Sequence, residues 1–248
     1  MNAVINLELK KSIQDKGLLF WTLALPIVFT VLFISVFTSG LNEEESRPII
    51  LSIVSGYTIM FVFFIMISMT DSLLKDKNIG MVSRIASTPL STYSYLLGKW
   101  IPYMYIIFIQ IVILLLFGKF VYDVSLEQPI QLFMISVCLT FMVTGLGLAL
   151  SVIVKTLNMG IAITQIVTLG GAVLSGLWMP VEMFPDFLQA ISRLLPQYWA
   201  HQAFQEAMVG TLGGGQFLKI LLILFGVGLA AFLVAILRYP NFLKQAKG

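Results

Sequence analysis

Catalysis needs ionisable or nucleophilic side chains in clusters, and this sequence supplies few. It has one histidine, His201, and one cysteine, Cys138, so a site needing two histidines and an intramolecular disulfide are both excluded. No Ser/His/Asp set, no inward paired carboxylates and no metal-ligand spacing appears. The glycine run from Gly210 to Gly215 lacks the Lys-Ser/Thr and the preceding strand of a phosphate loop, and reads as a flexible turn. No cofactor is expected on this chain. Charged residues do gather between Asp71 and Lys99, where Lys75, Asp76, Lys77 and Arg84 also stand. Within that stretch Met81, Val82 and Ile85 take the i, i+1, i+4 spacing of one helical face. Thr88-Pro89 stops the short helix, because the residue before proline is pushed out of the α region. Ser91 can cap the helix that follows. The chemistry on offer is therefore recognition: a small helix with an apolar face must bury it. A separate soluble subunit is one surface for it; the chain's own span ends are the other.

The elements that must hold this segment follow from composition. The 248 residues are 58% hydrophobic and 11% charged, with mean hydropathy +0.96. A soluble domain carries roughly 25% charged residues. The chain reads as an all-α polytopic membrane protein with a single transmembrane domain over residues 1–248. Apolar runs at about 18–39, 49–70, 100–121, 130–154, 159–179 and 216–237 each suit a span of about 20 residues. The first is too long for a signal-peptide core and reads as an uncleaved anchor. Pro26 and Pro102 are expected to kink their spans, and Trp100 and Tyr103 to mark an interface. Ahead of the first span, Met1, Ile5, Leu9 and Ile13 share a face with Glu8, Lys10, Lys11 and Asp15 off it. That predicts a helix lying in the membrane interface.

Cation placement gives the orientation. With the N-terminus inside, the inner segments hold Lys10, Lys11, Lys16, Lys75, Lys77, Arg84, Lys99, Lys155, Arg238, Lys244 and Lys247. Arg47, Lys119, Arg193 and Lys219 fall outside. Both termini and the 71–99 stretch are then cytoplasmic, and residues 238–248 form a short basic tail. The net charge of +3 is spread over loops without a basic stripe, so nucleic acid is not an expected partner.

No charged residue lies at mid-membrane, which disfavours a proton or sodium carrier. Among the uncharged polar residues in the spans, Gln110, Thr144, Gln165 and Thr168 are candidates to line a substrate path. The ordinary alternative is helix-to-helix hydrogen bonding. Gly145, Gly147, Gly226 and Gly228 sit in small-residue clusters that suit close packing inside the subunit or at a dimer face. Residues 180–215 are broken by Pro180, Pro185 and Pro196. Phe184, Phe187, Leu188, Ile191 and Leu194 fall on one face of a helix started by Pro185. This outer segment either lies flat or dips in and returns, and Pro180, Glu182, Pro185 and Pro196 are its candidate gate residues. His201 reads as a solvated interface residue without a role.

Three motifs together resemble the type-2 ABC exporter permease family. They are charged residues with Gly80, an apolar turn, Thr88-Pro89-Leu90-Ser91 and Leu97-Gly98-Lys99; Ser175-Gly176 through Pro180, Pro185, Ile191 and Pro196; and Arg238-Tyr239-Pro240. Met81 and Asn78 depart from the family's usual threonine and acid. The resemblance implies two permease subunits, identical or related, in membrane lipid with two cytoplasmic ATP-hydrolysing subunits that hold ATP and magnesium. It implies that Gly80, Met81, Val82, Arg84, Ile85, Thr88 and Pro89 form the helix that couples to the ATPase. It also implies outward movement of an amphiphilic drug, antibiotic or lipid across the cell membrane. The other readings are a secondary carrier and a membrane enzyme acting on lipid.

Overall fold

The computed structural model describes residues 2–87 and 92–247, and every regular element among them is helical. Helix α1 (Asn2–Gln14) leads to the first span, built from α2 (Lys16–Leu19), a π-helical turn (Phe20–Ala24) and α3 (Leu25–Phe37). Asp15 caps its start, the carboxylate accepting the Leu18 N–H at 3.0 Å. The π turn stands just ahead of Pro26. Proline has no N–H for the carbonyl four residues back, so the helical ladder opens there. The second span is α4 (Glu43–Val62) and α5 (Ile65–Asn78), separated by a turn at Phe63 and Phe64. Asn42 and Glu45 form a capping box at its start, and Glu43, Glu44 and Glu45 lie in the positive first turn.

Next come α6 (Met81–Ala86), α7 (Thr92–Tyr122) and α8 (Pro129–Ile153). The fifth span joins α9 (Leu157–Gln165), a second π turn (Ile166–Gly170) and α10 (Gly171–Leu174). After it come a 3-10 turn (Val181–Met183), α11 (Asp186–Ser192), α12 (Pro196–Val209) and α13 (Gly214–Lys247). Among the described residues six helical runs are long and apolar enough to cross a membrane, as the sequence predicts. Several run further than the apolar residues alone indicate. The 36 residues from Glu43 to Asn78 reach ~54 Å at 1.5 Å per residue, well beyond a hydrocarbon core of about 30 Å. The expected basic tail is a correction: α13 continues through Pro240 to Lys247, and Tyr239 and Phe242 are buried on it.

Helix α1 and the end of α13 both pack at the end that carries α6, here called the near end. The second span is the most enclosed, with 72% of its central window buried against 28% for the first, fifth and sixth. Helices α8 and α13 cross at glycines. A Cβ on Gly145 would lie 2.9 Å from the Gly228 carbonyl oxygen, and one on Gly228 2.5 Å from the Phe141 ring. Gly145 and Gly228 thus serve packing inside the subunit.

Helix α1 is turned the other way from its expected stripe. Ile13 is 68% exposed while Glu8 and Ser12 are buried. The reason is what α7 presents to it.

Candidate functional site

At the near end α5 and α7 run antiparallel and meet through residues four apart on each. On α7 these are Tyr95, Lys99 and Tyr103; on α5 they are Asp76, Ser72 and Ser68. Four residues is one helical turn, so each set forms a single stripe. The Tyr95 hydroxyl donates to Asp76 at 3.0 Å, and Tyr103 donates to the Ser68 carbonyl at 3.3 Å. Between them Lys99, 1% exposed, pairs with the Asp76 carboxylate at 2.6 Å and donates to the Ser72 hydroxyl at 2.9 Å. It also donates to Glu8 of α1 at 2.8 Å. The ammonium thus faces two carboxylates and a hydroxyl. Glu8 also accepts from Ser72 at 3.2 Å and from half-exposed Lys11 at 3.1 Å. Burial pushes the Glu8 carboxyl up, but Lys99 and Lys11 outweigh it and hold the group below its usual range. Three helices are thus riveted by buried, mutually neutralising charges.

Helix α6 stands one turn beyond Asp76. Gly80 makes the bend at φ +71°, with no atom within 4 Å of where a Cβ would lie, so the turn needs glycine for its backbone alone. Val82 is 1% exposed and belongs to the chain's own core, and Met81 is half-buried. Contacts run from α6 to α5 and to the end of α13. There Lys77 lies over the Phe242 ring at 5.3 Å, and Tyr239 stacks between Tyr95 and Phe242. The apolar face expected to await a partner is therefore partly filled from within. Asn78, Ile79 and Arg84 are exposed, Ile79 by 66%. Ile85 is in the helix, but its side chain, with Thr88 and Pro89, lies outside the described residues.

The four candidate path residues are not brought together. Thr144 is buried, accepts from the Trp100 indole at 2.8 Å and donates to the Thr140 carbonyl at 2.7 Å, a helix-to-helix contact. Gln110 is 1% exposed, and neither end of its amide has a partner. Thr168 is buried in the second π turn, also without a partner, and Gln165 is exposed on α9.

At the far end Pro180 and Glu182 are exposed. Pro185 precedes α11 and Pro196 begins α12. The apolar stripe of α11 points away from the chain, with Phe187 65% and Leu194 82% exposed, and Ser192 bonds inward to the Leu188 and Leu174 carbonyls. Helix α12 packs Ala200, Ala203, Phe204, Ala207 and Met208 into the core. His201 is a correction, since it is buried rather than solvated. Desolvation lowers its pKa to about 4, opposed by a contact with the Ser52 carbonyl at 3.4 Å.

The profile of the ABC-2 type transporter family matches residues 1–209. The chain belongs to that family. It is 27% identical over 202 residues to the putative transport permease YvfS of Bacillus subtilis (strain 168), covering 77% of this chain and 78% of YvfS. It is 27% identical over 152 residues to the linearmycin resistance permease protein LnrN of the same strain, 61% of this chain and 40% of LnrN. It is 24% identical over 133 residues to the probable multidrug ABC transporter permease YbhR of Escherichia coli (strain K12), 53% of this chain and 36% of YbhR. The chain thus spans less than half the length of LnrN and YbhR. It is a multi-pass membrane subunit of an ABC transporter, and the family implies a partner ATP-binding subunit.

In this ABC-2 permease, sequence reasoning missed the Glu8–Lys99–Asp76 cluster. All three were placed in exposed segments. The signal that could have found it is the matched four-residue spacing of 95, 99 and 103 with 68, 72 and 76. Helix α12 was also missed, though Pro196 at its first turn and Gly210 at φ +82° after its last bracket it.

Proposed function

We propose that this chain is the permease of an exporter, worked by an ATP-binding subunit that docks on α6. The ion cluster carries the reading. A short helix projects from the end of the second span, and one turn behind it three helices are locked by buried charge. Force applied at Ile79 and Arg84 is then passed to the first, second and third spans instead of being absorbed in a loop. The near end is the cytoplasmic end of a plasma-membrane protein, by the excess of Lys and Arg there. A carrier reading fits less well, because no charged residue stands in the middle of a span and the buried charges of the cluster are paired with one another at its near end.

Cargo is amphiphilic, a drug, an antibiotic or a lipid, and moves outward. The spans carry apolar faces with scattered hydroxyl and amide groups, and the names of LnrN and YbhR refer to linearmycin resistance and multidrug transport. A second permease subunit covers the fifth span, where Gln165 is exposed on a face that lipid would leave unsatisfied.

The test is Ile79→Asp. The side chain is exposed, so insertion and folding are expected to stay intact while the ATP-binding subunit no longer copurifies. Ile79 stands in the turn into α6, so Arg84→Glu on α6 itself is tested beside it, and undiminished copurification of both variants removes α6 as the contact.

A further inference from the structure

The far end holds a second constellation that the drive mechanism does not use. A cavity of about 410 Å³ opens between α4, the turn at 175–182 and α12. Its wall on α12 carries Tyr198, His201, Gln202, Gln205 and Glu206, the i, i+3, i+4, i+7, i+8 positions of one helical face. This face is polar, the opposite face of the same helix is core, and the polar side borders a cavity inside the subunit.

The floor is built from buried groups. Ser175 is fully buried there, and its hydroxyl has no hydrogen-bond partner. A helical serine usually donates its hydroxyl to the carbonyl four residues back; here only the backbone N–H of Ser175 reaches the Gly171 carbonyl. His201 lies beside it, 6% exposed. Glu206 accepts from Gln202 at 3.0 Å and Gln216 at 3.1 Å through one carboxylate oxygen, and the other oxygen is buried without a partner. Glu182 stands exposed at the mouth. Gly56 and Gly176 hold the turn close: a Cβ on Gly56 would lie 2.6 Å from the Leu177 carbonyl, and Gly176 has φ +79°. The cavity's shape is thus fixed by backbone contacts.

We infer that this cavity binds an organic ammonium group, held by the free oxygen of Glu206 and the Ser175 hydroxyl with Glu182 at the entrance. Both charged residues lining it are acids. Among the described residues no three acid, His or Cys side chains stand close enough to hold a metal ion, so the charge complement is a cation that brings its own N–H donors. The Tyr198 ring adds a face for such a cation. The volume is at the small end for ligand pockets, about 300–1,000 Å³, and suits a small amine or the polar arm of a larger amphiphile. The site stands apart from α6 and does not depend on the ATPase reading.

The experiment uses the purified full chain in nanodiscs without any ATPase, with dansylcadaverine as the cationic probe and N-acetyl-dansylcadaverine as its neutral twin. The expected result is saturable binding of the amine by fluorescence, at least tenfold tighter than the acetylated probe. Glu206→Gln and Ser175→Ala each weaken the amine while leaving the neutral probe unchanged. Glu182→Gln lies in the exposed turn and keeps the test decisive if Glu206→Gln misfolds; it lowers amine affinity about threefold. Equal affinity for the two probes, no saturable binding, or Glu182→Gln indistinguishable from wild type in a folded protein overturns the inference.

Discussion

Lys99 sets the energetics at the scale of single residues. A buried charge is tolerable only while it is paired, and removing one member of such a set costs about 3–5 kcal/mol because the others are left stranded. Lys99→Met therefore strands Glu8 and Asp76 and should lower stability by about that much in detergent unfolding followed by circular dichroism. The triple change Glu8→Met, Lys99→Met, Asp76→Leu should recover most of the loss, since apolar replacement of a whole buried set is often neutral. A triple variant as unstable as the single one means that the charges are not mutually compensating. The pH dependence has a definite sign. Glu8 is held below its ordinary 4.5 when folded, so its contribution is complete above that value and is lost as pH falls through the lower folded one. The gap between wild type and Glu8→Gln should close over that range. Lys99 is illegible in the sequence because it reads there as one more inner cation of the charged 71–99 stretch. Its partners Asp76, Ser72 and Glu8 are 23, 27 and 91 residues away.

Apolar run length made the spans legible as elements: each must cross about 30 Å of hydrocarbon. The same criterion hid the extensions. Helix α5 runs on past Asp71 with Lys75 and Asp76, and α13 past Arg238, because a helix leaving lipid needs no apolar residues, only packing. The π turns were hidden too, since Pro26 foretells an irregularity but not its form. Glycine spacing showed that helices approach closely, and the contacts say which ones. Gly226 and Gly228 make the contrast. Nothing lies within 4 Å of a Cβ on Gly226, whereas one on Gly228 meets the Phe141 ring at 2.5 Å and the Met142 backbone at 2.9 Å. Alanine gains up to about 1 kcal/mol of helix propensity at either position. Gly226→Ala should thus be neutral or stabilising, and Gly228→Ala destabilising by about 1–3 kcal/mol of overpacking. Thermal melts of the two variants check this, and equal melts would detach α8 from α13.

The orientation of the whole molecule decides which end can meet ATP. The near end carries most of the lysines and arginines, and losing Lys99 to internal pairing does not change that. Lys10, Lys11, Lys75, Arg84 and Lys155 remain exposed there. Across from them, the far end begins the second span with Glu43, Glu44 and Glu45. Two exposed positions on that one span report the two sides, Glu44 at its start and Asn78 at its end. Cys138, half-buried in α8, is first changed to serine to clear the background. In whole cells a membrane-impermeant maleimide should then label Glu44→Cys, and it should reach Asn78→Cys only after permeabilisation. Since the two residues lie at opposite ends of one continuous span, they cannot both label from the same side unless the span fails to cross. The reverse pattern would put α6 outside the cell, away from nucleotide, and the coupling role would fall with it, while the ion cluster and the far-end cavity would stand as features of the fold.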